Sequence, residues 1–318
     1  MGVGVPRFLM SLVGVLALLL GGVACGGEAS QAAGGDQALR VGYQRFGGLA
    51  LVKARGAAPQ VAWSLFESGP AVTEALKAGA IDIGITGEAP PIFAAAGKTD
   101  FRIISTSAEV PQGEAVLVKE SSGIKTFKDL KGRSIALNKG SNVNWLLVRL
   151  LETNGMSIDD VSVKYLKPAE GRPAFDNGQV DAWIIWDPYF ALAEQPGVKV
   201  LADATGLAGN REYVLASPAA LTEKSAQIKQ FLQKYREVTD WGIAHPDDRA
   251  RALAPELNIP EDVAKRALAR SAKPVAPVTP AIGAELQHIA DGFASLALIP
   301  GKVDIAARID DRFSEVLR

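Results

Sequence analysis

The sequence predicts an α/β protein of two lobes, joined by two crossover strands that act as a hinge and followed by a helical carboxy-terminal region. Three observations predict this fold. Short β-like runs alternate with helical runs from residue 39 onward, which is typical of parallel sheets. The alternation occurs twice, and a chain of 318 residues with 48 % hydrophobic residues is long enough for two cores. The two strands that connect the halves lack the Gly/Ser/Pro composition of a flexible linker.

The first 25 residues have the layout of a secretory signal that ends at Cys25, the only cysteine of the chain. Arg7 is followed by an uncharged apolar run and by GVAC, which resembles a bacterial lipobox. Acylation of Cys25 would anchor the protein to a bacterial membrane on its extracytoplasmic side. A transmembrane anchor is the alternative, but two glycines interrupt the run and no basic flank follows. Residues 26–38 are expected to be a flexible tether.

The first lobe is predicted from residues 39–115 and 216–318. Its strands are expected at 39–43, 61–67, 81–86 and 101–107. Helices are expected between these strands, each near a Gly or Pro signal, at 48–55, 70–78 and 91–97.

The second lobe is predicted from residues 116–215. Its strands are expected at 114–120, 134–138, 161–166, 180–186 and 198–202, and its helices at 143–153, 168–176 and 188–194. The hinge is placed near Glu114 to Val118 and Tyr213 to Ser217, where the chain leaves the first lobe and returns to it. The returning strand is expected at 212–221, after which the chain reads as helical to its end, with breaks at prolines.

Charge and composition exclude several functions. The formal net charge is −1 and there is no basic run, so the chain lacks the electrostatic footprint of a nucleic-acid-binding protein. The two histidines, His245 and His288, lie in the carboxy-terminal region away from the predicted cleft loops. No metal-ligand spacing or Gly-rich phosphate motif is present. We therefore expect a monomeric binding protein without cofactor, metal or catalytic residue.

The segment NKGSN, residues 138–142, is the strongest candidate for ligand contact, because ligands meet open α/β sheets at the carboxyl ends of strands. Gly140 permits a tight turn, and Ser141 or Asn142 stands where the next helix is expected to begin. Free backbone N–H groups at that helix end would bind an oxyanion. Ordinary helix capping is the alternative interpretation.

Two other loops are expected to face this helix end. Thr86 and Gly87 precede a predicted helix near Pro90 and repeat the arrangement in the first lobe. Trp186 ends a buried strand, so its ring is either core or an apolar wall for the organic part of a ligand. Asp187 would repel an anion and is expected to cap the following helix.

Five segments together resemble the substrate-binding proteins of ABC importers for aliphatic sulfonates, within the wider nitrate, sulfonate and taurine group. They are LRVGYQ, AGAIDIGITGEAPP, DLKGRSIALNKGSNVNWLLVRLLE, GQVDAWIIWDPY and TGLAGNREYVLAS, and the resemblance runs from Leu39 to Trp241. It implies the periplasmic-binding-protein fold, capture of an alkanesulfonate between the lobes, and delivery to a membrane permease and its ATPase.

The resemblance also implies a set of ligand-binding residues. They are Gln44, Gly47, Gly48, Thr86, Gly87, Glu88 and Ala89 in the first lobe, and Ser141, Asn142 and Trp186 in the second. Two departures from the family pattern stand out. Members usually carry Asp at the position of Glu88, and the loop after Gly56 is several residues shorter than usual, which leaves the size of the cleft mouth open.

The ligand class has open alternatives at this level. Taurine, nitrate or a related small anion could use the same helix ends, and taurine would also want a carboxylate, either Glu88 or Asp187. A pocket of neutral donors suits sulfonate, which offers only acceptors. Arg45 and Arg172 lie in cleft loops and are the alternative partners for the anion. An enzyme of the thiamine-pyrimidine-synthase type would share the fold, but it needs a donor histidine and a cysteine-rich motif.

Overall fold

The strands of the protein form two separate sheets in the computed structural model, which describes residues 38–271 and 273–318. The strands within these residues are β1 (Arg40–Gln44), β2 (Ala62–Phe66), β3 (Ile83–Thr86), β4 (Arg102–Ser107), β5 (Glu114–Lys119), β6 (Ser134–Leu137), β7 (Ser162–Tyr165), β8 (Ala182–Trp186), β9 (Val198–Asp203), β10 (Tyr213–Ala216) and β11 (Val275–Ala276). The predicted signal, Cys25 and residues 26–37 of the predicted tether lie outside the described residues.

Helices follow most of the strands. They are α1 (Gly48–Ala54), α2 (Gly69–Lys77), α3 (Ala89–Ala96), α4 (Asn142–Thr153), α5 (Pro168–Asp176), α6 (Tyr189–Ala193), α7 (Pro218–Glu223), α8 (Ser225–Ala244), α9 (Pro246–Leu257), α10 (Glu261–Ala269) and α11 (Pro280–Ser295). Among these described helices, none is long and apolar enough to cross a membrane.

Each sheet is mixed: three neighbouring strands at one edge are parallel, and the remaining pairings are antiparallel. The first has the order β11-β4-β10-β3-β1-β2, and β1 pairs in parallel with β2 and β3. The second has the order β7-β6-β8-β5-β9, and β6 pairs in parallel with β7 and β8. The returning strand β10 runs antiparallel in the first sheet, and β5 runs antiparallel in the second. The predicted two-lobed α/β fold is confirmed.

The connecting strands each belong to one sheet. β5 pairs with β8 and β9, and β10 pairs with β3 and β4, so the chain crosses between the sheets at residues 108–113 and 204–212. Tyr213 to Leu215 therefore pair in the first sheet, just before the predicted start of the returning part of lobe 1. The limits of the two lobes as moving bodies remain a prediction.

Helices cover both faces of each sheet and bury its side chains. Residues of α1, α8 and α9 pack on one face of the first sheet, and residues of α2, α3 and α11 pack on the other. The two halves also share core. Trp145 of α4 packs edge-on against Phe293 of α11, with ring centroids 5.4 Å apart. Residues 38–318 accordingly form one compact unit.

The returning strand is shorter than predicted. It ends at Ala216 instead of continuing to residue 221, because Ser217 accepts a hydrogen bond at its Oγ from the Ala220 N–H (3.2 Å) and Pro218 opens α7. Serine followed by proline is a helix start, and both residues were visible in the sequence. The apolar run beyond them belongs to the buried face of a helix.

The carboxy-terminal region is not helical to its end. Val275 and Ala276 form β11, which pairs with β4 at the edge of the first sheet. After α11 the chain makes only two short 3₁₀ turns within residues 296–318, and Asp310 N–H donates to the Ile103 carbonyl (2.9 Å). A strand of two residues and irregular backbone show no hydrophobic periodicity, so the sequence could not predict either of them.

The shortened loop after Gly56 lies away from the cleft. It joins the end of α1 to the start of β2, which places it at the amino-terminal edge of the parallel strands. Loops at the carboxyl edge of those strands form the cavity described below. The expected effect of this loop on the cleft mouth is therefore not supported by its position.

Candidate functional site

Loops from both sheets enclose a cavity of about 60 Å³. It lies where the carboxyl ends of β1, β3, β6 and β8 approach each other, as expected for a ligand site in an α/β protein. Six of the predicted ligand-binding residues line it, namely Gln44, Thr86, Gly87, Ser141, Asn142 and Trp186.

The start of α4 forms one side of the cavity and leaves backbone donors available. Gly140 has a φ of 72°, which allows the turn that brings Ser141 to the N-cap position. The Ser141 hydroxyl donates to the Asn138 carbonyl (2.7 Å) and does not accept from the helix. Within the described residues, the Asn142 and Val143 N–H groups donate to no acceptor of the protein. These donors remain for an oxyanion.

Asn142 links the two halves across the cavity. Its Nδ2 donates to Asn210 Oδ1 (3.1 Å), and its Oδ1 accepts from the Ala89 N–H (3.4 Å). The backbone of Gly87 approaches so closely that a Cβ there would lie 2.1 Å from Asn142 Oδ1. A glycine at position 87 is therefore required for this contact.

The facing helix end is poorer in donors than predicted. α3 begins at Ala89, whose N–H is already bonded to Asn142, and the next two residues are Pro90 and Pro91. Proline has no N–H, so the first turn of α3 offers little to an anion. The Thr86 hydroxyl donates to the Gly87 carbonyl (3.0 Å). The two helix ends that were predicted to be equivalent therefore differ, because the start of α4 offers more free N–H donors than the start of α3.

Gly47 and Gly48 do not line the cavity. The Gly48 N–H at the start of α1 donates to Glu212 Oε2 (3.4 Å), so a carboxylate of the protein occupies that position. Close packing explains both glycines. A Cβ on Gly47 would lie 2.7 Å from Glu212 Oε1, and one on Gly48 would lie 2.4 Å from the Tyr235 ring.

Glu88 and Ala89 are also absent from the cavity wall, because both are fully buried behind it. Glu88 Oε2 accepts from the Arg211 N–H (3.4 Å). Burial and the neighbouring Glu285 carboxylate raise the pKa of Glu88 to about 7. Position 88 therefore holds a structural carboxyl group next to the cavity and not one of its walls.

Trp186 presents an apolar surface to the cavity and packs edge-on against Tyr189, with ring centroids 6.1 Å apart. Asp187 beside it is buried, and its Oδ1 accepts from the Ala191 N–H in α6 (3.0 Å). Asp187 therefore binds the first turn of α6 although Pro188 is the N-cap residue, and it also lines the cavity. Burial raises the pKa of this carboxyl to about 6, although the Arg270 guanidinium binds both of its oxygens at 3.0 Å and favours the charged form.

The cations at the cavity are not the ones that the sequence suggested. Arg45 is exposed, and Arg172 is bound to Asp176 (2.5 Å) on its own helix. Lys273 and Arg211 line the cavity instead. Both come from segments between regular elements, so no periodic pattern marked them, and their proximity to the cleft is a tertiary effect.

Lys273 and Arg211 are already paired with carboxylates. Lys273 Nζ lies 3.5 Å from Glu212 Oε1, and its side chain is 12 % exposed. Arg211 binds Glu109 (2.6 Å) and Glu285 (3.1 Å). The longer Lys273 contact leaves that ammonium the more available of the two for a ligand.

The metal-binding and histidine alternatives can be located in the described part of the chain. Within residues 38–271 and 273–318, no group of three or more His, Cys, Asp or Glu side chains is arranged to hold a metal ion. His245 packs on Trp241, and its Nδ1 lies 2.8 Å from the carbonyl oxygen of that residue. His288 packs edge-on against Trp145.

Comparison with known proteins places the chain in a family. Residues 65–249 match the NMT1/THI5-like family. The fold is also that of the desulfurization enzyme DSZB, with a TM-score of 0.65, but at 14 % identity over 88 % of this chain and 98 % of the enzyme the likeness concerns the fold alone.

Two binding proteins are much more similar. The chain is 38 % identical over 282 residues to the aliphatic sulfonates-binding protein of Escherichia coli (strain K12), covering 86 % of this chain and 88 % of that protein. The alkanesulfonate-binding protein SsuA from Xanthomonas axonopodis pv. citri, solved bound to MOPS, gives a TM-score of 0.80 at 33 % identity, covering 86 % and 97 % of the respective chains. The chain therefore belongs to the NMT1/THI5-like family and, within it, to the group of aliphatic sulfonate-binding proteins.

Proposed function

We propose that the protein is the extracytoplasmic substrate-binding component of an ABC importer and that its ligand is an aliphatic sulfonate. One observation carries this proposal: the open N–H groups at the start of α4 stand at a cavity shared by both halves of the molecule. A sulfonate offers three acceptor oxygens and no donor, which suits such a site. The similarity to two sulfonate-binding proteins supports the same ligand class.

The cavity suggests how the two ends of such a ligand are held. The sulfonate oxygens would accept from the Asn142 and Val143 N–H groups, with Ser141 beside them and with Thr86 and Gly87 on the opposite side. Lys273 would add a positive field without being the main partner. The alkyl tail would lie against Trp186, whose ring offers an apolar surface without a competing charge.

Taurine fits this cavity less well than a plain alkanesulfonate. Its ammonium group needs an acceptor, and the two carboxyls considered for that role are not available: Glu88 is behind the wall, and Asp187 is bound by Arg270. Glu212 does line the cavity, but it is held by Lys273 and by the Gly48 N–H. These contacts favour a ligand without a cationic group.

The same proposal includes attachment to the membrane and delivery of the ligand. An acylated Cys25 would hold the protein, as a monomer, beside the permease and its ATPase, with no catalytic step of its own. We expect Cys25→Ser to release the protein from membranes of a bacterial host while leaving sulfonate affinity unchanged. Wild-type protein recovered unacylated, and outside the membrane fraction, would contradict the anchor.

Ligand identity is tested with a thermal-shift screen of the purified protein, followed by titration calorimetry. The panel contains alkanesulfonates of increasing chain length, taurine, nitrate, sulfate and bicarbonate. A ligand at 100 times its Kd should stabilise the protein by about 2.7 kcal/mol. We expect the alkanesulfonates to raise Tm most. Stabilisation by nitrate or taurine and not by any alkanesulfonate would overturn the ligand assignment.

A further inference from the structure

Two buried carboxyl groups lie directly behind the cavity. Glu88 follows Gly87 in the first half of the chain, and Glu114 follows Gly113 at the start of β5 in the second. Both glycines line the cavity, whereas both carboxylate side chains have no exposed surface. Glu114 is also the register partner of Trp186, another wall residue. The pair therefore spans the junction of the two halves, one residue away from the ligand site on each side.

The two carboxyls are short of hydrogen-bond partners. Glu88 Oε2 accepts from the Arg211 N–H, and the neighbouring Asn210 N–H also favours the ionised form of this carboxyl. Within the described residues, Glu88 Oε1 and both oxygens of Glu114 have no hydrogen-bond partner. An ionised carboxylate without donors is strongly disfavoured in a dry interior, so at least one of the two groups is held neutral by a proton.

Several charged and titratable groups surround the two buried carboxyls. Glu285 of α11 faces Glu88, and Arg211 beside it is already bound to Glu285 and Glu109. Tyr213 of β10 is the other titratable group near Glu88. Asp187, next to Trp186 in the sequence, forms an ion pair with Arg270.

Lys273 is the cation that acts on both carboxyls. It lowers the pKa of Glu88 and of Glu114, while burial and the mutual repulsion of the two groups raise the pKa of Glu114 well above its ordinary value. The same ammonium lines the cavity, and its one ion pair, with Glu212, is long at 3.5 Å. Lys273 therefore lines the cavity and also favours the ionised form of both buried carboxyls.

We propose that Glu88 and Glu114 form a proton-binding site that is coupled to the adjacent anion cavity, so that the protein takes up a proton when it captures its ligand. This inference rests on the proposed function. An incoming sulfonate draws on the field of Lys273 and adds a negative charge next to the pair. A proton from solvent then binds one of the carboxyl oxygens and cancels the added negative charge.

The sign of the effect follows from this coupling. The ligand-bound protein holds more protons than the free protein, so affinity falls as pH rises through the range in which the pair loses its proton. For one coupled proton the loss approaches tenfold per pH unit inside that range. Removing the cation should move the range upward, because Lys273 favours the ionised carboxyls.

Titration calorimetry with ethanesulfonate measures the coupling. At pH 7, in buffers of different ionisation enthalpy, we expect the observed heat to vary with the buffer in the sense of proton uptake, and Kd to rise between pH 6 and 9. Glu88→Gln combined with Glu114→Gln should bind with little pH dependence, and Lys273→Met should move the rise to higher pH. Glu152→Gln, an exposed carboxylate on α4, is the matched control and should behave as wild type.

A second measurement uses the wild-type protein without ligand, so its outcome does not depend on whether a variant folds. Carboxyl-carbon resonances of protein labelled with ¹³C-glutamate are followed from pH 4 to 9, and two of them should titrate far above the ordinary value of about 4.3. Ethanesulfonate binding without proton exchange would overturn the coupling and leave the sulfonate function intact. Ordinary titration of every glutamate would overturn the proton site, even if no sulfonate bound at all.

Discussion

Asn142 contacts both halves of the molecule through a single side-chain amide. It donates to Asn210 and accepts from the Ala89 N–H, while its backbone N–H stands at the open end of α4. Both the nitrogen and the oxygen of the amide are used in these contacts. No other side chain of similar size can replace it, because aspartate has no donor and leucine has neither a donor nor an acceptor.

Asn142→Asp is therefore the sharpest test of how the anion is held. It places a carboxylate at the helix end and against Asn210 Oδ1, and we expect it to cost several kcal/mol of binding free energy to a short alkanesulfonate. Arg45→Ala and Arg172→Ala act only through the long-range field and should cost about 1 kcal/mol at most.

Titration calorimetry on the three variants decides between the two modes of anion binding. Binding that survives Asn142→Asp but is lost in either arginine variant would show that a salt bridge, and not the helix end, holds the ligand. Unfolding curves of each variant serve as the control for global damage.

At the scale of elements, the contact between α10 and the loop before α6 is the most strongly charged link between the halves. Arg270 binds Asp187 through two nitrogens, both at 3.0 Å, and Glu194 at 2.9 Å, and it stacks on Phe190. Asp187 is almost completely buried, so its charge has no substitute partner in solvent.

We expect Arg270→Ala to lower the free energy of unfolding by about 3 kcal/mol, because it leaves Asp187 buried and unpaired. Arg266→Ala, on α10 four residues earlier, should cost less than about 1 kcal/mol, because Arg266 is exposed and its pairs with Asp262 and, at 4.0 Å, with Glu194 are open to solvent. Urea unfolding measures both. Adding Asp187→Asn to Arg270→Ala should restore part of the loss, and equal effects of the two arginine substitutions would contradict this account.

The sequence predicted the elements well wherever the pattern was local. The strands before β10 and the helices up to α6 lie within two residues of their predicted ends, since alternation of apolar residues and Gly or Pro signals mark each one. The two-residue β11 and the start of α7 were missed. The first is too short to show a period, and the second was hidden by an apolar run that a strand and a buried helix face share.

The candidate site was predicted only in part. Gln44, Thr86, Gly87 and the second-half residues reached the cavity because strand ends mark such positions in the sequence. Lys273, Arg211 and Asn210 were missed, since they enter from segments that are distant in sequence. The burial of Glu88 was not predictable either, because it depends on α11 packing over the loop.

The whole molecule is expected to change shape when ligand binds. Two chain crossings connect the sheets, at 108–113 and 204–212, and the cavity lies between the sheets. Such an arrangement permits closure about the crossings, so we expect saturating ethanesulfonate to favour the closed form and reduce the radius of gyration. Small-angle scattering measures it, with sodium chloride at the same ionic strength as the control. An unchanged radius would count against the hinge.

Stability of the whole protein should depend on pH through Glu88. Its pKa is raised from 4.5 to about 7 in the folded protein, so the folded state binds more protons than the unfolded state between these values. The contribution to stability is full below about pH 4.5 and is lost as pH rises to about 7, a change of about 3 kcal/mol.

The difference in unfolding free energy between wild type and Glu88→Gln isolates this group from the other carboxyls. Urea unfolding at pH 5 and pH 8 should show the wild type losing more stability than the variant as pH rises. A parallel dependence of the two proteins would contradict the assigned burial of Glu88.

The inequality of the two helix ends has a consequence for the order of binding events. α4 presents free N–H groups, whereas α3 begins with an occupied N–H and two prolines. We expect a ligand to dock first on the second half of the molecule, with the first half closing over it afterwards. Changes at Ser141 should then alter the association rate constant, and changes at Gln44 should act mainly on the dissociation rate constant, because that residue makes its contacts only after closure.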